Sequence, residues 1–308
     1  MVVAIHTRPF EEFNNTTLDR LFDSVVNVAV PYFFIASGFF LFRNVTNPLT
    51  GEGKSRCRKY IKKIIRLYCV WTLLYLPLSI YGFYAGNLSF GTSILLFLRN
   101  FLFVGENYYS WPLWYLLGLI VAVGMIYLLL LRRVNVYCVF LIALLAGIAG
   151  AMIEHLHGSC SLGFIDLYYK VFTTTRNGFF VGFLCVTLGM LTAYDKIKTH
   201  MILLWFMLIS GLIGSYYHVW LSPVLSAFAL FAIIIRCDFG GVETAKLFRS
   251  MSVIIYFIHM FWVAIIELCF QGKSGSLGLF VLVSCLSVVT SFILLRFRES
   301  YFYRLCFY

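Results

Sequence analysis

Ionisable side chains embedded in apolar runs are the residues of this sequence with the most chemical promise, because a proton-binding group at membrane depth is costly to keep. His259 stands in SVIIYFIHMFWVAIIEL, with apolar neighbours on every side. Glu267 follows on roughly the same helical face, about 12 Å further along. Two readings are open for His259: a group that binds a proton or substrate, and a histidine hydrogen-bonded to the backbone of a neighbouring helix. His6 lies near the end of the stub MVVAIHT and is followed by Thr7, Arg8 and Pro9. An imidazole in a partly dry site takes a proton from a hydroxyl near neutral pH; an interfacial histidine at a helix end is the alternative. Lys62, Lys63 and Arg66 form a basic cluster in RCRKYIKKIIRLY. Arginine grips phosphate with two parallel bonds and lysine offers a point charge. Membrane topology and anionic lipid also gather cations at such helix mouths, so only Arg66, already inside the apolar run, exceeds that expectation. Arg176 opens RNGFFVGFL and suits neutralisation of an anion or an acyl oxyanion. It equally suits snorkelling to headgroups or pairing with Asp166.

Other chemistries find little support. Glu154-His155-Leu156-His157 places its histidines two apart, off a common helical face, and no third ligand follows at useful spacing, so no metal site is expected. The sequence contains no GxSxG, no phosphate-binding Walker loop and no HExxH. The nine cysteines show no CxxC spacing and read as small core hydrophobes.

The elements that must position these residues are helices. Hydrophobic residues make up 61% of the 308 and charged ones 12%, against roughly a quarter charged in a soluble domain. Such a chain cannot cover a soluble surface, and its long uncharged runs match a hydrocarbon core. The expected fold is all-α: a polytopic transmembrane helical bundle forming one domain over 1–308, with about ten helices of which the first is truncated. Full helices are expected over 25–43, 64–85, 112–131, 136–154, 177–193, 201–217, 221–236, 251–270 and 277–296. The stub before them is too short to cross a bilayer and reads as the end of a helix that begins upstream. Segment 87–110, broken by Arg99 and Gly105, reads as an interfacial or re-entrant helix.

The net charge of +11 comes from inter-helix loops rather than from a nucleic-acid-binding face, so no nucleic-acid partner is expected. Most basic residues, from Arg43 to Arg66, then Arg132, Arg133, Lys196, Lys198, Arg236, Lys246, Arg249, Arg296, Arg298 and Arg304, fall in one alternate set of loops. The other set holds Arg8, Arg20, Arg99, Lys170, Arg176 and Lys273. The first set is therefore expected to face the cytoplasm, with both chain ends on that side of a cell membrane.

Several segments, in order, carry a resemblance: VVAIHT, VPYFFIASGFFLF, YIKKIIRLY, SWPLWYLLGLI, RNGFFVGFLCVTLGM and YFIHMFW. Together they resemble the acyltransferase-3 family of integral-membrane acyltransferases, which modify cell-surface glycans and similar acceptors, and the likeness runs over nearly the whole chain. It implies that His6 is the family's first-helix histidine and the leading catalytic base. The family carries an arginine about eleven residues before that histidine, a position this sequence does not reach. The resemblance further implies that Lys62, Lys63 and Arg66 meet the phosphates of an acyl-CoA co-substrate, with no permanently bound cofactor. Ser37 and Gly38 match the family's SGF element, Trp111, Trp114 and Tyr115 its aromatic entry to the next helix, and Arg176 and His259 later family positions. VVAIHT and VPYFFIASGFF are also similar to the membrane part of membrane-bound serine racemases.

Two functions follow as expectations. One is transfer of an acetyl-like group from acyl-CoA to a hydroxyl of a glycan or similar acceptor, read by the segments 8–24, 86–111 and 154–176. The other is a transporter or serine-supply module without acyl transfer, using His259 and Glu267 as a polar path.

Overall fold

The computed structural model describes residues 1–159, 163–195, 199–237, 241–270 and 275–308; Cys160, Lys196, Lys198 and Lys273 lie outside the described residues. The fold is an all-α helical bundle, with no strand among the described residues. In chain order it comprises α1 (Val2–Thr7), α2 (Thr16–Val26), α3 (Ala29–Phe42), α4 (Gly51–Ala85), α5 (Phe90–Arg99), α6 (Trp114–Leu131), α7 (Val136–Ser159), α8 (Gly163–Phe172), α9 (Phe183–Asp195), α10 (Met201–Tyr216), α11 (Ser222–Ile234), α12 (Val242–Phe270), α13 (Leu277–Leu295) and α14 (Tyr301–Phe307). Six stretches among the described residues are long and apolar enough to cross a membrane: Thr16–Phe42, Gly51–Ala85, Trp111–Leu131, Val136–His157, Glu243–Cys269 and Leu277–Leu295.

Every expected helix is present, and several extend further than apolar runs announce. The Asn15 side chain accepts from the backbone N–H groups of Thr17 and Leu18 at 3.0 and 3.2 Å. This N-cap starts α2 nine residues ahead of the expected start at 25, so α2 and α3 lie almost end to end. Helix α4 begins at Gly51 and α12 at Val242, each with a basic first half that continues the helix out of the apolar region. Segment 87–110 holds α5, prolonged by a π-helical turn, Asn100–Val104, and a loop. Its apolar length falls short of the roughly 20 residues a bilayer core requires.

Apolar side chains gain little by leaving lipid for each other, so close packing and interhelical hydrogen bonds must hold such a bundle. Helix α3 packs along α9, and two glycines set their distance. A Cβ on Gly38 would stand 2.1 Å from the Val186 carbonyl oxygen, and one on Gly189 would stand 2.0 Å from that of Ile35. Helices α4 and α12 meet along an aromatic seam. Trp71 stacks on Phe257 with ring centroids 4.6 Å apart, Tyr75 stacks on Phe261 at 4.2 Å, and the Tyr75 hydroxyl donates to the Phe257 carbonyl at 2.6 Å. The pairings advance by equal steps on both helices, so the two run parallel. The Ser300 hydroxyl accepts from the Tyr303 N–H at 3.2 Å and starts α14. That helix folds back onto α4, where Trp71 Nε1 donates to the Cys306 carbonyl at 2.6 Å.

Candidate functional site

Helix α1 carries His6 and lies against α12, α13 and α2. It stops at Arg8, whose left-handed backbone (φ 39°) turns the chain away. Arg8 then reaches Asp23 of α2 at 3.5 Å, an exposed pair that orients the turn more than it stabilises it. The His6 ring lies next to two aromatic rings. Trp111 stacks on it at 6.0 Å with planes 19° apart, and His259 lies at 5.3 Å with planes tilted by 38°. Three of the residues singled out in sequence therefore converge from α1, α12 and the turn ahead of α6.

His6 opens on a cavity of about 200 Å³ whose polar lining includes Asn27, Tyr115, Arg176 and Tyr256, with Trp114 and largely apolar side chains around them. The Tyr256 hydroxyl donates to the Pro112 carbonyl, tying α12 to the turn that bears Trp111. Ser37 does not line the cavity but fixes its wall. The Tyr115 hydroxyl donates to the Phe33 carbonyl at 3.1 Å, so its bond with Ser37 at 2.9 Å must use the serine proton. Gly38 serves the contact of α3 with α9 described above.

Arg176 sits at the cavity on a loop with a dense local network. The Glu154 carboxylate accepts from the Tyr169 and Thr175 hydroxyls, both at 2.6 Å, and His157 stacks on Tyr169 at 3.6 Å. The Asn177 side chain accepts from the Phe179 N–H at 3.0 Å and donates to the Tyr168 hydroxyl at 2.6 Å. This fixes the chain on both sides of Arg176 just before the π-helical turn Gly178–Gly182. Arg176 forms no ion pair with Asp166 among the described residues. No group of three histidine, cysteine or acidic side chains among the described residues is placed to hold a metal.

His259 is fully buried, and its Nδ1 bonds the Ile255 carbonyl of its own helix at 3.0 Å rather than a neighbouring helix. Glu267 is half-buried, does not line the His6 cavity and makes no hydrogen bond to His259 among the described residues.

The basic cluster lies elsewhere in the bundle. Lys63 lines a cavity of about 660 Å³ with Lys246, Arg249, Arg298 and Tyr308, alongside Glu243. Arg66 lines a second cavity of about 490 Å³ with Arg298, Arg304, Glu299 and Tyr308. The two share Arg298 and Tyr308. Lys62 is exposed and lines neither. Lys246, Arg249, Arg298 and Arg304 enter the sequence reading only as topology markers. Their signal as a site was their position just outside two later apolar runs, which folding brings beside α4. Arg249 and His259 are ten residues apart on α12, so the basic cavity and His6 are about 15 Å apart along the helix axis.

Glu106 lies in the loop ahead of Trp111, outside the membrane-length helices, and burial pushes its carboxyl from the usual 4.5 up to about 7. The folded state therefore holds the proton more tightly than the unfolded chain. The contribution of Glu106 to stability is therefore full below pH 4.5, is lost as pH rises towards 7, and changes no further above it. Thermal midpoints in detergent should show the wild type losing stability relative to Glu106→Gln as pH rises across that range.

Comparison with known proteins places these features. Two proteins of Enterococcus faecalis named amino-acid racemase are similar to this chain: one is 38% identical over 36% of the chain and 15% of its own length, the other 32% identical over 61% and 26%. A serine/alanine racemase of Enterococcus gallinarum is 28% identical over 98% of the chain and 45% of its own length. The chain thus spans less than half the length of each of these relatives. No solved structure matches it. A family model described as an acyltransferase domain matches residues 1–296, nearly the entire bundle including His6, Arg176, His259 and the Lys63 cluster; the chain is a multi-pass membrane protein and belongs to the acyltransferase-3 family.

Proposed function

We propose that this protein transfers an acyl group from acyl-CoA to a hydroxyl of an acceptor such as a cell-surface glycan. The observation that carries the reading is the alignment of a basic cavity and the His6 cavity along the same helix, about 15 Å apart, which an extended pantetheine arm spans. Lys63, Arg249 and their neighbours hold the donor's phosphates. At the other end, His6 takes the proton of the acceptor hydroxyl, and the oxygen attacks the thioester carbonyl. Arg176 faces the developing oxyanion. When the tetrahedral intermediate collapses, the C–S bond breaks and the imidazolium returns the proton to the leaving thiolate, so free CoA thiol and the ester are the products. The basic end faces the cytoplasm, where acyl-CoA is made.

The test is release of CoA thiol by the purified protein in lipid vesicles. Release that requires both acyl-CoA and a hydroxyl acceptor supports the reading; none across a panel of acceptors sinks it. Charge reversal at Lys63 and Arg249 should raise the donor KM roughly 10–100-fold, the worth of one or two charge-assisted bonds. Turnover at saturation should stay close to wild type, and the defect should narrow at high salt.

The names of the relatives favour a second reading, in which the bundle supplies serine or a similar amino acid. Uptake of labelled serine into vesicles free of CoA esters would support it, and acceptor-dependent CoA release would count against it.

A further inference from the structure

Nδ1 of His259 bonds the Ile255 carbonyl at 3.0 Å. A carbonyl oxygen only accepts, so the proton of this imidazole resides on Nδ1 and the neutral ring leaves a bare lone pair at Nε2. That Nε2 is buried and has no hydrogen-bond partner among the described residues, an unusual state for a buried polar atom. The centroid of the neighbouring His6 ring lies 5.3 Å from that of the His259 ring. Two imidazoles sharing one N–H···N bond of about 3 Å have centroids a little over 5 Å apart. That centroid separation matches a bonded pair, although the rings as they stand do not form the bond. The tilt of 38° between the rings is taken up by rotation about the soft terminal torsion of the His6 side chain.

We infer that His259 is the positioning partner of His6: its bare Nε2 accepts the N–H of the His6 ring and so fixes the tautomer in which the other His6 nitrogen offers its lone pair to the cavity. Trp111, stacked 6.0 Å from His6, limits the ring's remaining freedom. The inference rests on His6 being the base of the proposed reaction. In that reaction the acceptor's proton arrives on the free His6 nitrogen, while the proton shared with His259 stays on His6. The shared bond becomes charge-assisted at that moment and steadies the imidazolium until it protonates the leaving thiolate.

The experiment uses the full chain in lipid vesicles with 15N-labelled histidine, its His6 signals assigned by comparison with a His6→Gln variant. The wild type should show His6 as one tautomer with a hydrogen-bonded N–H. His259→Phe, which keeps the bulk and removes the acceptor, should show mixed tautomers and lower kcat by roughly 10²–10⁴-fold, the range that a mis-set tautomer costs. The acceptor KM should move little. His259→Gln restores an oxygen acceptor near the place of Nε2 and should recover a single tautomer and much of the turnover. A wild-type His6 spectrum in His259→Phe overturns the inference, and so does a His259→Gln protein no better than His259→Phe. The spectra report the histidine pair whether or not acyl groups are transferred, so failure of this pairing and failure of the transferase reading are separable.

Discussion

With His6 as the proposed base, His6→Ala should lower the turnover of acyl transfer by roughly 10²–10⁴-fold, the usual contribution of a positioned base. The protein should nevertheless still insert and fold. The imidazole faces a cavity on one side and touches Trp111 and His259 on the others, so removing it enlarges a void instead of breaking a helix contact. Its helix keeps its own tie, the Thr7 hydroxyl donating to the Val3 carbonyl at 2.9 Å. The measurement is CoA thiol release at saturating donor and acceptor, alongside size-exclusion behaviour in detergent. Turnover within a few-fold of wild type would remove His6 from the chemistry. A monodisperse but inactive protein is the expected result.

The largest expected effect on stability comes from a single methyl group. Gly189→Ala places a Cβ 2.0 Å from the Ile35 carbonyl oxygen and 2.7 Å from the Phe39 backbone nitrogen. Both atoms are backbone, so no side chain can rotate aside and α3 must separate from α9. Overpacking of this kind costs about 1–3 kcal/mol, and rigid backbone neighbours put this site at the upper end. Gly124→Ala in α6 is the control, since nothing lies within 4 Å of its Cβ position and alanine favours the helix. Thermal unfolding in detergent should show a clear drop for Gly189→Ala and none for Gly124→Ala. Equal midpoints would mean that α3 and α9 are not in the contact described. Because α3 carries Ser37 and α9 continues from the turn after Arg176, the Gly189 variant should lose activity as well.

The spans were legible because a bilayer demands long apolar runs, and Leu113–Leu131 or Leu277–Leu295 cannot be read otherwise. Helix α2 was not, although Asn15 was a usable capping signal, since Asp19, Arg20 and Asp23 make its pattern that of a loop. The basic first half of α4 was hidden for the same reason: a solvated helix and a solvated loop have similar compositions. His6 and His259 were visible as residues out of keeping with their surroundings, and Trp111 entered only through the family resemblance. Their convergence was not visible, because no local periodicity relates residues more than a hundred positions apart. The backbone partner expected for His259 was on a neighbouring helix; the structure puts it on its own helix, because the Ile255 carbonyl lies one turn back within reach of Nδ1. The basic cavity shows the same limit. Lys63 stood in a marked cluster, whereas Arg249 and Arg298 looked like topology markers until packing set them beside it.

Helix α14 folds back on α4, and Tyr303, Phe307 and Tyr308 form part of the wall of the basic cavity, with Lys63 Nζ 5.9 Å from the centre of the Tyr308 ring. Whatever is joined after Tyr308 therefore leaves from the rim of that cavity. An affinity tag rich in acidic residues at this position would compete for the same cations as a phosphate-bearing ligand. Expression for binding studies is better served by a handle placed elsewhere, and a cleavable tag after Tyr308 turns the same geometry into a simple probe of access to the cavity.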